Sequence, residues 1–60
     1  MVTALKILIL DDEPKMGRIL ARVLGREGHA ATAFEAPEAA LEAIHREPFD
    51  LLITDLKMPG

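Results

Sequence analysis

Residues 5–14 read LKILILDDEP, and this stretch decides the fold. It opens with a short apolar run in which Lys6 is the only polar residue. So short a run, containing the β-branched residues Ile7 and Ile9, is typical of a buried parallel strand rather than of a helix. Two adjacent aspartates, Asp11 and Asp12, follow it directly. The sequence therefore predicts a buried strand that ends in carboxylates.

After this strand the apolar residues recur at the spacing of a helix, and this spacing predicts two helices. Pro14 suits the first helical turn, and Gly28 suits the left-handed position that ends a helix. The apolar residues between them form one helical stripe that is expected to face the core: Met16, Ile19, Leu20, Val23 and Leu24. A second helix is predicted from about Pro37 to Glu47, with a narrower stripe and with Ala43 as a further candidate for it: Ala40, Leu41 and Ile44.

Two further strands complete the pattern. Residues 29–34 (HAATAF) predict a weak strand of the kind found at a sheet edge, and residues 49–54 (FDLLIT) predict a third strand. Asp55 stands at the carboxyl end of that third strand. Strand–helix–strand–helix–strand is the order of an α/β fold with a parallel sheet and right-handed crossovers.

Composition excludes several classes of function. Ten acidic and seven basic side chains give a net charge of −3, and only two residues are aromatic, so a direct nucleic-acid contact is not expected. The absence of cysteine removes disulfides, thiol catalysis and cysteine zinc sites. The first ten residues lack the long apolar core of a signal peptide, and no stretch approaches the length of a membrane helix. A cytoplasmic location, away from the membrane, is expected.

Three carboxylates follow two of the predicted strands. If the first and third strands are neighbours, about 4.8 Å apart, then Asp11, Asp12 and Asp55 converge at one edge of the sheet. Such a cluster favours Mg²⁺, or Mn²⁺, and one carboxylate could attack phosphorus to become an aspartyl phosphate. Taken singly, an acidic residue after a strand is more often a helix cap or a solvated turn. Three of them at matching strand ends favour a site.

The motifs together resemble the receiver domain of bacterial response regulators. The resemblance covers the whole chain and is carried by ILILDDEP (7–14), the Gly–His pair after the first helix, PEAALEAI (37–44) and FDLLITDLKMPG (49–60). It implies a partial flavodoxin-like (CheY-like) doubly wound sheet. The wording DLKMPG is most similar to receivers of sigma-54-dependent transcriptional activators.

The resemblance also implies a role for each acidic residue. Asp55 would accept phosphate from a sensor histidine kinase or from a small acyl phosphate. Asp11, Asp12 and Asp55 would hold Mg²⁺ together with the backbone carbonyl of Lys57. A receiver catalyses its own phosphorylation and is not a conventional enzyme. An Asp-dependent phosphohydrolase is disfavoured, because such enzymes usually carry a second Asp where this chain has Lys57.

The sequence matches only part of a receiver. A complete receiver has two further strand–helix units, with a Ser/Thr, a Lys and an aromatic residue that take part in phosphate sensing and switching. Residues 1–60 are therefore expected to form a partial receiver domain of three strands and two helices. Its third strand becomes an exposed apolar edge, which predicts self-association. The alternative hypothesis is a half-fold that cannot be phosphorylated and whose main property is self-association.

The remaining polar residues favour ordinary structural roles. His29 and His45 are expected to be surface or strand-start histidines rather than ligands. The basic residues of the first helix form a solvated face, with kinase docking as the alternative: Lys15, Arg18, Arg22 and Arg26.

Overall fold

The computed structural model describes residues 3–54. It contains five elements in the expected order: β1 (Lys6–Leu10), α1 (Pro14–Arg26), β2 (Ala30–Phe34), α2 (Pro37–Arg46) and β3 (Leu51–Thr54). The prediction of an α/β fold with β-α-β-α-β order is confirmed. The third strand is shorter than predicted, because residues 49 and 50 belong to the turn that leads into it.

The three strands form one parallel sheet in the order β2-β1-β3. Because β1 is central and pairs on both sides, it supplies the most buried side chains, Ile7, Leu8 and Ile9, each at most 1% exposed. Successive side chains of a strand point to opposite faces. Ile7 and Ile9 therefore lie on one face of the sheet, and Leu8 lies on the other.

Helix α1 packs on the face of Ile9, chiefly over β2. Gly17 is buried against that strand, where a Cβ atom added to it would lie 3.1 Å from the Cβ of Ala33. Gly28 ends the helical segment with a φ of 94°, which confirms the predicted left-handed stop.

The apolar stripe of α1 is less buried than predicted. Leu20 and Leu24 are half-buried, but Met16, Ile19 and Val23 are 43%, 47% and 51% exposed. The expectation that the whole stripe faces the core is therefore wrong. Of its outer members, Met16 lies beside a groove that Ile53 of β3 also lines.

Helix α2 covers the opposite face of the sheet. Ala40 and Ala43 pack on Leu8, and three half-buried residues surround this cluster: Leu10, Phe34 and Phe49. Leu41 and Ile44, which were also expected to be core residues, are 57% and 43% exposed. The small alanines let the helix lie close to β1, so that the larger residues point away from it.

Strand β3 lies at the edge of the sheet. Within residues 3–54 it pairs only with β1, and Leu51 and Leu52 are 45% and 51% exposed. The predicted exposed third-strand edge is thus present among the described residues. No helix in the same part of the chain is long and apolar enough to cross a membrane.

Candidate functional site

Asp11 is fixed at the carboxyl end of β1. It is 8% exposed, and its backbone N–H donates to the carbonyl of Phe34 at 3.0 Å. Its Oδ1 atom accepts from the backbone N–H of Glu13 at 2.9 Å. Glu13 is the N-cap residue of α1. One carboxylate oxygen of Asp11 thus holds the turn between β1 and α1, which fixes the orientation of the whole side chain.

Asp12 occupies the next position and is exposed. Asp11 and Asp12 therefore differ in environment although they are adjacent: one is held by the protein, and the other is open to solvent. The amino end of α1 begins two residues later at Pro14, and its unpaired N–H groups carry partial positive charge. Carboxylates are electrostatically favoured at this end of the helix.

The structure brings the carboxyl ends of β1 and β3 to the same edge of the sheet. The two strands are parallel neighbours, and Leu10 pairs with Thr54. Along the chain, Leu10 is followed by Asp11 and Thr54 by Asp55. Asp55 and Lys57 lie outside the described residues, so the convergence of all three carboxylates stays a prediction.

A groove runs beside this edge, between α1 and β3. Its volume is about 310 Å³. Its lining combines apolar residues with Thr54 and two acidic residues: Ile9, Leu10, Met16, Leu20 and Ile53 with Thr54, Asp11 and Glu13. The site is therefore open to solvent on the side of β3.

The donor atoms at this edge suit a hard divalent cation. Carboxylate oxygens are preferred by Mg²⁺ and Mn²⁺, and adjacent acidic side chains repel one another unless a cation is bound. Among residues 3–54, no three acidic or histidine side chains lie close enough together to hold a metal. Asp11 and Asp12 are the described members of the predicted ligand set, and its other members, Asp55 and Lys57, lie outside the described residues.

Asp11 also has a structural role, which is to hold the turn before α1. Its hydrogen bond to the Glu13 N–H is a local turn contact that requires no ligand. This contact was not predicted, although an Asp two residues before a helix N-cap is a recognisable signal for it. A structural role for one oxygen and a ligand role for the carboxylate are compatible, since a carboxylate has two acceptor oxygens.

The histidines lie away from this edge. His29 is at the amino end of the sheet, where its Nδ1 atom accepts from the Leu5 N–H at 3.0 Å. His45 is exposed near the end of α2. The basic residues of α1 are exposed as predicted: Lys15, Arg18, Arg22 and Arg26.

One polar residue near β3 was missed by sequence analysis. Asp50 precedes β3, and its Oδ2 atom accepts from the Lys6 N–H at 2.8 Å. Its own N–H donates to the Lys6 carbonyl at 2.7 Å. The only available signal was an acidic residue immediately before an apolar run, which by itself indicates nothing more than a turn.

A comparison with known families matches residues 7–60 to the response regulator receiver domain. This chain belongs to the response regulator receiver family. The match includes the first strand, the acidic pair and the segment that carries Asp55. The recognition made from the motifs is therefore confirmed at the level of the family, whose members serve two-component signalling.

Individual receiver proteins align along most of the chain. This chain is 36% identical over 59 residues to the transcriptional regulatory protein TcrA of Mycobacterium tuberculosis. The alignment covers 98% of this chain and 23% of TcrA. It is 39% identical over 54 residues to the response regulator receiver protein CpdR of Brucella abortus, which covers 90% of the chain and 45% of CpdR. The response regulator protein PilR of Pseudomonas aeruginosa is 41% identical over 54 residues, or 12% of its length. The chain thus spans less than half the length of each of these relatives.

Proposed function

We propose that this receiver chain is a phosphoacceptor of a two-component system and that Asp55 takes the phosphoryl group. The observation that carries the proposal is the pairing of Leu10 with Thr54 in parallel register. This pairing places the carboxyl ends of β1 and β3 level with each other. In the sequence, Asp11 and Asp12 follow β1 and Asp55 follows β3.

The transfer is a nucleophilic displacement at phosphorus. A carboxylate oxygen of Asp55 forms the new bond to phosphorus, while the bond from phosphorus to the donor breaks. The donor, a phosphohistidine of a sensor kinase or a small acyl phosphate, leaves with the electron pair. The product is an acyl phosphate on Asp55.

The acidic residues of this edge also define the cation requirement. Asp11, Asp12, Asp55 and the backbone carbonyl of Lys57 would hold Mg²⁺, or Mn²⁺. When bound, the ion would neutralise the carboxylates and screen the charge of the incoming phosphoryl group. The hydrogen bond from the Glu13 N–H supports this arrangement, because it keeps the Asp11 carboxylate in one orientation.

The proposal extends to the location, the partner and the output of the protein that contains this domain. We propose that the domain is cytoplasmic and that its partner is a sensor histidine kinase, and we expect no nucleic-acid contact by residues 1–60. TcrA is by its name a transcriptional regulatory protein. By analogy we propose that this domain controls a transcription regulator, with the sigma-54-dependent activators as the suggested subtype.

Intact-mass spectrometry of the chain with Mg²⁺ and acetyl phosphate tests the phosphoacceptor role. The parent should gain one phosphoryl group, Asp55→Asn should gain none, and a chelator should abolish the gain. Glu38→Gln is the matched control, because Glu38 is an exposed carboxylate on α2, and it should behave as the parent does. A folded parent without an adduct, or an adduct of equal size on Asp55→Asn, would contradict the proposal.

A second candidate function is self-association through β3. The observation that favours it is an edge strand with exposed Leu51 and Leu52 and with no charged residue or proline among its four members. Natural edge strands usually carry such residues to prevent pairing. A two-fold axis perpendicular to the sheet would pair β3 with its copy in antiparallel orientation and would place both α1 helices on the same face.

This arrangement would make one continuous sheet of six strands, in which each face continues across the joined edges. Leu51 and Ile53 lie on the face of α1, since they pair with Ile7 and Ile9, and Leu52 lies on the face of α2. Each α1 would stay over its own β2 and β1, because pairing at the β3 edge does not move it within its copy. The contact would therefore join the two β3 edges and would leave the outer stripe of α1 in place.

Analytical ultracentrifugation separates this candidate from a monomeric phosphoacceptor. The parent should sediment as a dimer and Leu52→Lys as a monomer, because a charge placed at the edge opposes pairing. Leu41→Lys is the matched control, since Leu41 is 57% exposed on the outer surface of α2, and it should leave the dimer intact. A parent that stays monomeric, or equal dissociation by both variants, would exclude β3 as the contact.

A further inference from the structure

Asp50 joins the start of β3 to β1 through its backbone N–H and its side-chain carboxylate. Its N–H donates to the Lys6 carbonyl at 2.7 Å, and its Oδ2 atom accepts from the Lys6 N–H at 2.8 Å. The side chain thus occupies the place of a main-chain carbonyl in the ladder. Asp50 alone thus pairs with both the N–H and the carbonyl of Lys6. These two hydrogen bonds favour one alignment of β3 against β1.

The side chain of Lys6 adds two contacts to the same turn. Its Nζ atom forms an ion pair with Glu47 and lies 5.4 Å from the centroid of the Phe49 ring. Phe49 in turn packs against the cluster formed by Leu8 and α2. Residues 47, 49 and 50 are therefore all tied to the beginning of β1.

The packing of β3 does not by itself select a register. The strand has four residues and an aliphatic side chain on each face, with Leu51 and Ile53 on one face and Leu52 and Thr54 on the other. Strand register is weakly specified where the two faces do not differ in polarity, and a slip by one residue exchanges them. Leu51 and Leu52 are 45% and 51% exposed, so burial of these side chains opposes a slip only weakly.

We infer that Asp50 is a positioning residue that sets the register of β3 on β1 and thereby the point at which the chain delivers Asp55. This inference rests on the proposed phosphoacceptor function. A slip of one residue would move the carboxyl end of β3 by about 3.3 Å and reverse its faces. Asp55 would then follow β3 at a different level from Asp11 and on the other side of the sheet.

The inference distinguishes Asp50 from the acidic residues of the site. Asp50 lies at the amino end of β3, whereas Asp11 lies at the carboxyl end of β1. Asp50 acts through the strand and does not contact the phosphoryl donor. Its loss should lower the rate of phosphorylation without changing which residue is modified.

The test compares Asp50→Ala with Asp50→Asn in the full chain. Asparagine keeps an acceptor oxygen at the same distance from the backbone, whereas alanine removes it. The register is read by nuclear Overhauser contacts between the β1 and β3 backbones, with the pairs Leu8–Leu52 and Ile9–Ile53 diagnostic of the parent register. Phosphorylation by acetyl phosphate is measured in parallel.

The expected result for Asp50→Ala is a second set of cross-strand contacts, displaced by one residue, and at least tenfold slower phosphorylation. Asp50→Asn should restore the single register and most of the rate. Glu47→Gln is the matched control: it removes the ion pair with Lys6 but leaves the backbone contacts, and it should keep one register.

A single parent register in folded Asp50→Ala would overturn the inference. If Asp50→Ala fails to fold, the measurement is repeated with trimethylamine N-oxide, which favours burial. A variant that stays unfolded there would also overturn it, because Asp50 would then support stability as a whole and not the choice of register. If the parent takes no phosphoryl group, the phosphoacceptor function fails, and the register measurement still decides the structural part of the inference.

Discussion

The two sides of β1 differ in what covers them. On the side of β2, α1 packs close enough for Gly17 to lie against Ala33, and the beginning of the sheet is closed by the His29–Leu5 hydrogen bond. On the side of β3, Leu51 and Leu52 are about half exposed, and so are the outer apolar residues of α1.

The side of β1 that is covered by a helix is therefore not the side on which the proposed chemistry would occur. The side of β2 holds the closest helix–sheet contact, whereas the predicted phosphoacceptor follows the strand on the open side. If the chain accepts phosphate as proposed, the donor needs access to this edge, and the groove between α1 and β3 lies beside it. The cost is an apolar edge that must be covered by another strand or another copy.

The largest effect is expected from truncation of the central strand. Leu8 is 0% exposed, so Leu8→Ala should lower the free energy of unfolding by about 2–5 kcal/mol, through lost burial and a residual cavity. Leu52→Ala, its neighbour in β3, is the matched control and should lose about 1 kcal/mol or less because Leu52 is 51% exposed. Chemical denaturation measures both. Equal losses would show that β3 is as well packed as β1.

The next effect is expected at the contact of α1 with β2. Gly17→Leu would place a side chain where even a Cβ atom lies 3.1 Å from Ala33, and it should destabilise by about 1–3 kcal/mol. Gly25→Ala, in the same helix, meets no atom within 4 Å and should stabilise by about 0.5–1 kcal/mol. Thermal unfolding followed by circular dichroism distinguishes opposite signs. A neutral Gly17→Leu would mean that α1 does not lie close to β2.

A smaller effect is expected at the amino end of the sheet. His29→Ala removes the acceptor of the Leu5 N–H and should cost about 0.5–1.5 kcal/mol. His45→Ala is the control, because His45 is exposed on α2, and it should be nearly neutral. Amide exchange at Leu5 should accelerate only in the His29 variant. Unchanged exchange would show that the imidazole does not hold this strand.

The smallest effect is expected on the surface of α2. Arg46 and Glu42 form an exposed pair at 3.3 Å, four residues apart, and both side chains are 74% exposed. Arg46→Ala should cost no more than about 0.5 kcal/mol, and salt should remove the difference. A larger loss that persists in high salt would show that Arg46 has a partner beyond this pair.

Sequence analysis predicted the elements and part of the site for identifiable reasons. The run before Asp11 and the helical spacing after Pro14 are strong local signals, and they fixed the order of elements. Periodicity identifies the apolar face of a helix but not what is available to cover it, so the exposure of Met16 and Val23 could not be foreseen. The contact between Asp50 and Lys6 joins residues 44 positions apart, and no local pattern reports such a pair.

The position of the phosphoryl group on the chain decides whether Asp55 is the phosphoacceptor. The chain is treated with acetyl phosphate and Mg²⁺, digested, and its peptides are mapped by tandem mass spectrometry beside Asp55→Asn and Asp12→Asn. The account predicts a phosphoryl group on Asp55 alone, none in Asp55→Asn, and slower modification at Asp55 in Asp12→Asn. A phosphoryl group on another residue of the parent, or modification that does not depend on Mg²⁺, would contradict it.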